Sequence, residues 1–157
     1  MLSEATAASG TLYAGDRSTR ATLFGIEPEY AALQELEVAR MGRFINRRDI
    51  DERRRVAVVG DGLVRLLFGN DEGLGRMFTF QGSTFLIVGV LQRREGSAGF
   101  LNDARVFVPA TTFHIVNGTR TISSIAYAPA SAEVRARTMQ HAFEVLGARH
   151  RFDPTDQ

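Results

Sequence analysis

Apolar and polar positions follow two rhythms along this chain, and the change between them is clearest from Val56 to Leu91. Val56–Val59 is a run of small apolar residues closed by Gly60, the pattern of a short buried strand. From Asp61 the spacing turns helical. Leu63, Leu66 and Leu67 fall on one face, with Asp61 as the expected N-cap and Gly69 as the stop. A polar loop, 70–75, follows. Met77–Phe80 and Thr84–Leu91 then read as a β-hairpin about Gln81-Gly82-Ser83. Its second strand is the most apolar piece of the chain, which predicts cover on both faces.

The flanks carry weaker signals. Ser3–Gly10, rich in alanine and small polar residues, reads as helical or frayed. Thr11–Gly15 and Arg20–Ile26 read as strands of a hairpin around Asp16-Arg17-Ser18. Glu27-Pro28-Glu29 opens a helix with Pro28 near its first turn and an apolar face from Tyr30, Leu33 and Leu36. Arg47–Arg55 mixes five arginines with Asp49, Asp51 and Glu52, the composition of a solvated surface segment. Gln92–Asn102 is a loop near whose end Phe100 and Leu101 either fold back on the core, the reading preferred, or form an exposed apolar tip. Arg105–Val108 is a strand stopped by Pro109, Thr111 or Thr112 leads a short helix to Gly118, and Ile122–Tyr127 is another strand. Ser131–Leu146 has the widest helical stripe, Val134, Thr138, Ala142 and Val145, with Gly147 ending it. Residues 151–157 read as a disordered tail. About eight strands and four helices without βαβ alternation predict an α+β fold with largely antiparallel pairing.

Composition narrows the chemistry. The chain has 157 residues and a formal net charge of +1, so no strong field draws nucleic acid or an anionic surface. All 19 basic residues are arginine, which excludes Schiff-base and Walker-type lysine chemistry. The absence of cysteine excludes a thiol nucleophile, a zinc–cysteine site and disulfides. No apolar run approaches the roughly 18–20 residues of a membrane span, and the first ten residues lack the features of a signal peptide.

Each motif that hints at a site has a plainer explanation. His141 and Glu144, three apart on the last helix, make half a metal site with no second pair. Gly60-Asp61-Gly62 after a strand has the start of a dinucleotide-binding turn, but Arg65 stands where the third glycine belongs. Asp71 and Glu72 lack the spacing of a calcium loop. No acid–base pair, nucleophile elbow or triad is present in the order of the residues. The expectation is no catalytic, cofactor-binding or metal residue, no cofactor and no enzymatic activity.

One ordered series carries more information. Gly42-Arg43-Phe44, Asp49, VAVVG, Leu67-Phe68-Gly69, Leu74-Gly75-Arg76, FLIVGVL and VFVP together resemble the periplasmic core domain of MacB-type ABC transporter permeases, whose relatives include the LolC, LolE and FtsX permeases. The likeness runs from about Thr11 to His150. It implies a domain carried between two membrane helices on the extracytoplasmic, periplasmic side of the inner membrane, itself soluble. It also implies a discontinuous porter-like α/β-sandwich lobe, residues 1–42 plus 118–150, with a smaller, mostly β lobe, 43–117, inserted in its middle. The N-terminal part is shorter than the family pattern. The resemblance further implies a non-catalytic domain that transmits conformational change, or contacts adaptor or substrate, during export. Its partners would be a cytoplasmic ABC ATPase reached through the membrane part, a periplasmic adaptor and a second permease copy, with no nucleic acid. The alternative is a free-standing peptide- or lipid-binding module of the same fold.

Overall fold

A computed structural model describes residues 2–39, 41–69, 72–92, 103–118 and 124–127. In chain order these form β1 (Leu2–Ala14), β2 (Arg17–Ile26), α1 (Glu29–Leu33), α2 (Arg47–Asp51), β3 (Val56–Gly60), α3 (Asp61–Phe68), β4 (Met77–Phe80), β5 (Ser83–Leu91), β6 (Arg105–Pro109), α4 (Ala110–Asn117) and β7 (Ser124–Tyr127). Leu2–Ala126 make one compact unit, and Tyr127–Gln157 group apart from it with Met1.

The strand order is β2-β6-β3-β5-β4-β1-β7, and β1 also pairs with β2. Six strands therefore form a closed ring. β1 joins β2 antiparallel from Ala5↔Ile26 to Ala14↔Arg17, and at its far end pairs Leu12 with Phe80 and Tyr13 with Thr79 of β4. Closure removes the open edges that would otherwise template aggregation. Pairing is mixed, because β2–β6 and β3–β5 are parallel while β3–β6 and β4–β5 are antiparallel.

Alternation along each strand builds two apolar clusters. The first takes Leu12, Leu23, Val59, Phe80, Phe85 and Val106, at least one residue from every strand of the ring, with Leu63, Val64 and Leu67 of α3 and Phe113 of α4 packed into it. These side chains fill the ring's interior. The second, on the outer face of β2, β6, β3 and β5, gathers Ile26, Val58 and Phe107 under Tyr30, Ile45 and Ile50. Phe107 is its centre, with the rings of Phe24, Tyr30 and Phe44 at 5.6, 5.9 and 6.0 Å. β3 is buried along its whole length because it separates the two clusters.

The β4–β5 hairpin forms as expected, with a two-residue turn. Gln81 (φ 47°) and Gly82 (φ 77°) both take positive φ, the requirement of a type I′ turn, and Ser83 already belongs to the strand. Other expectations change. Residues 3–10 are strand, since ten residues of pairing with β2 outweigh alanine's helix preference. The hairpin turn is Gly15-Asp16, and Arg17 opens β2. α1 ends at Leu33, leaving Leu36 to pack beside the second cluster. Gly60, not Asp61, is the N-cap of α3; Asp61 is its first residue and pairs with Arg65 at 2.9 Å. On α3, Val64 is buried and Leu66 is 60% exposed, so the apolar face is Leu63, Val64 and Leu67. Thr111 and Thr112 lie inside α4 and do not cap it. Their hydroxyls donate to the carbonyls of Ile50 and Arg54, both at 2.8 Å, tying α4 to α2 and the chain just after it.

Strands from both sides of residue 42 share the sheet: β2 pairs with β6, and β1 with β4. β7 stands next to β1, so the strand expected at 122–127 does join the sheet of the first hairpin. The helix expected at 131–146, with His141 and Glu144, and the loop residues Phe100 and Leu101 lie outside the described residues.

Candidate functional site

Several residues that carried the resemblance, Gly42, Arg43, Asp49 and Gly89, meet in one brace. Residues 38–39 and 41–43 run along β5 beyond the end of β4. Ala39 N donates to Val90 O (2.8 Å), Arg43 N to Val88 O (2.9 Å), and Val38 bridges Leu91. Two glycines permit that approach. A Cβ on Gly42 would lie 2.9 Å from the Gly89 Cα, and one on Gly89 would collide with the Arg43 carbonyl. Immediately afterwards Arg43 grips Asp49 with both ends of its guanidinium, at 2.6 Å to Oδ2 and 3.0 Å to Oδ1.

Asp49 is fully buried, although Arg47, Arg48, Asp51 and Glu52 around it are charged and exposed. It sits in a capping box: its backbone N–H donates to Asn46 Oδ1 (3.1 Å), and Asn46 N donates to Asp49 Oδ2 (3.0 Å). Arg54 Nη1 stands 3.8 Å from Oδ1. Burial, the largest influence, pushes the carboxyl up. The hydrogen bonds from Arg43 and the Asn46 backbone, with the charges of Arg43 and Arg54, together outweigh it and hold Asp49 below its ordinary value. The expectation of a wholly solvated segment fails here because one carboxylate turns inward and is fully paired. Around it Arg47 reaches Glu27 and Glu29, and Arg48 reaches Glu52, on the surface.

A groove of about 540 Å³ opens beside this brace. Met41, Val64, Leu74 and Val90 line it, together with Asp61, Arg65 and Glu72. Its size is that of a small-ligand pocket. Met41, 86% exposed, is its most accessible apolar side chain. Sequence periodicity gave no hint of this groove, because its walls come from three separate segments. The glycines at the start of α3 answer to packing: a Cβ on Gly62 would meet Asp103 at 2.9 Å. Gly73 is likewise pressed against Val64. Among the described residues no three histidine, cysteine or carboxylate side chains are grouped to hold a metal. His114 lies on α4 with Phe113 edge-on at 6.1 Å; His141, Glu144 and His150 lie outside the described residues. No helix among the described residues is long and apolar enough to cross a membrane.

Comparison with known proteins agrees across the chain. The sequence profile of the MacB-like periplasmic core domain matches residues 2–143. The macrolide export ATP-binding/permease protein MacB of Chlorobium luteolum is 30% identical over 149 residues, covering 94% of this chain and 22% of that protein. The protein of the same name from Rhodospirillum rubrum is 31% identical over 134 residues, covering 83% and 20%. The chain thus spans about a fifth of the length of these relatives. In fold it is similar to the extracellular domain of the noncanonic ABC-type transporter YknZ from Gram-positive bacteria, with TM-score 0.81, 23% identity and coverage of 98% of this chain and 78% of that one. The periplasmic region of MacB from Actinobacillus actinomycetemcomitans superposes with TM-score 0.74 at 21% identity, covering 95% and 66%. The match over 2–143 and the relatives at 30% and 31% identity lead to one conclusion: this chain belongs to the family of MacB-like periplasmic core domains.

Proposed function

We propose that this chain is the extracytoplasmic domain of an ABC transporter permease, and that it serves export without catalysis by passing conformational change outward or by contacting adaptor or substrate. The observation that carries this is the family match over residues 2–143, nearly the whole chain. In this reading ATP is hydrolysed elsewhere, by a cytoplasmic ABC ATPase acting through membrane helices, and the permease works as a pair with a periplasmic adaptor. A two-lobe layout belongs to the proposal, with residues 1–42 plus 118–150 as one lobe and 43–117 as the smaller lobe inserted in it. The position of β7 next to β1 supports it, while the β1–β2 hairpin is also paired with β4 and β6 of the 43–117 segment.

The groove beside Met41 favours a second reading, a free-standing module that holds a peptide or lipid. One experiment separates the two. The chain has no cysteine, so a single Ser18→Cys label at the exposed start of β2 can be introduced into the full-length parent protein, cleared of any other cysteines. The permease reading expects a membrane-bound parent that reacts with an impermeant maleimide from the periplasmic side. Labelling only after the inner membrane is opened, or recovery of the parent wholly in the soluble fraction, would refute it.

A further inference from the structure

At the turn end of the β1–β2 hairpin, the ring presents Tyr13 and Met77, which belong to neither apolar cluster, near Phe68, which packs against the first. Leu12, Phe78, Phe80 and Phe85 point inward, so their neighbours Tyr13 and Met77 face out, and they are 54% and 59% exposed. The register places them together: Tyr13 lies opposite Thr79, two residues along the same face from Met77. Beside Met77 a cavity of about 450 Å³ is lined by Arg17, Phe68 and Arg76 along with the Gly15-Asp16 turn. The Arg17 guanidinium comes within 3.1 Å of where a Cβ on Gly69 would stand, at the C-terminal end of α3. Arg76 stacks over the Phe68 ring at 5.8 Å. The charged residues lining the cavity are two arginines and one carboxylate, Asp16.

We infer that Tyr13, Arg17, Phe68, Arg76 and Met77 form a docking surface for an acidic, amphipathic segment of a partner protein. The inference rests on the reading of this chain as a partner-contacting domain and names where and what it contacts. Charge complementarity supplies the occupant. Two guanidinium groups set against fixed surfaces, one at a helix end and one on an aromatic ring, are suited to bidentate carboxylates. Tyrosine, methionine, phenylalanine and arginine are also the residue types enriched at protein–protein interfaces. Met77 on the cavity wall and Tyr13 beyond it add exposed apolar surface beside the arginines, which a chain segment covers better than a small anion does.

The test uses the isotope-labelled chain and an acetylated peptide alternating leucine and glutamate, followed by amide chemical shifts. Perturbation should centre on Gly15, Arg17, Gly69 and Met77, and weaken as salt rises from about 0.1 to 0.5 M. Arg17→Glu should weaken binding by about tenfold or more. Met77→Ser, an exposed position, should weaken it several-fold, and Ile115→Ser on the outside of α4 should not. Melting curves of the three variants should match the parent chain. Equal binding of the leucine–glutamine analogue, perturbation centred on Met41, or no response up to about 1 mM peptide would overturn the proposal. So would a response to vesicles of anionic lipid alone, which would indicate a membrane surface instead. Because the assay needs only this domain, its failure leaves the maleimide-labelling result standing, and the reverse also holds.

Discussion

Asp49→Asn isolates the charge at the centre of the brace while keeping the side chain's shape. In the native chain Oδ2 accepts from both Arg43 and Asn46 N, and Oδ1 accepts from Arg43. An amide supplies only one acceptor oxygen, so its NH₂ group must face a donor. Removing one partner of a buried ion pair typically costs about 3–5 kcal/mol, because the other charge is stranded. Here the Arg43 side chain is 40% exposed and can be hydrated again, which lowers the expectation to about 2–4 kcal/mol. At roughly 3 °C per kcal/mol for a chain of this size, the midpoint should fall by about 6–12 °C. Urea unfolding by circular dichroism at pH 7 measures the loss. The pH dependence supplies a second check. Asp49 has a depressed pKa when folded, so its contribution is full above the unfolded carboxylate value of about 4 and is lost as pH falls through the lower folded value. The two stability curves should therefore draw together toward the acid end. A loss below about 0.5 kcal/mol, a gap that stays constant with pH, or simple additivity with Arg43→Gln would refute the brace as a coupled pair.

Three further outcomes test the fold. Gly89→Ala should destabilise by about 1–3 kcal/mol, because the added methyl collides with the Arg43 carbonyl; chemical denaturation checks it. Phe113→Ala should cost about 3–5 kcal/mol, since the ring is fully buried inside the strand ring and touches the Gly25 position; a thermal melt reads this directly. Gln81→Asn should stabilise by roughly 0.3–1 kcal/mol, because asparagine tolerates the positive φ that this turn position demands; a rise in urea midpoint is the readout.

Local signals were strong enough to specify several parts of this protein from sequence alone. Val56–Gly60 is a strand because nothing in that run can face water, and Met77–Leu91 is a hairpin because two apolar runs flank a turn pair ending in glycine. Gly69 and Gly118 end helices where their positive φ is needed. The family resemblance was legible as an ordered series of residues, and four of them, Gly42, Arg43, Asp49 and Gly89, meet in one brace. Only tertiary structure decided the rest. The alanine-rich start became strand because β2 supplied ten backbone partners. Asp49 turned inward because Arg43, six residues earlier, could neutralise it, a choice invisible in a run where every other residue but Ile50 carries charge. The groove beside Met41 and the arginine pair at the hairpin turn each draw side chains from segments distant in sequence. Periodicity reports which face of an element is apolar; it does not report which distant strand or charge will meet that face, because the pairing energy arises only when the ring closes.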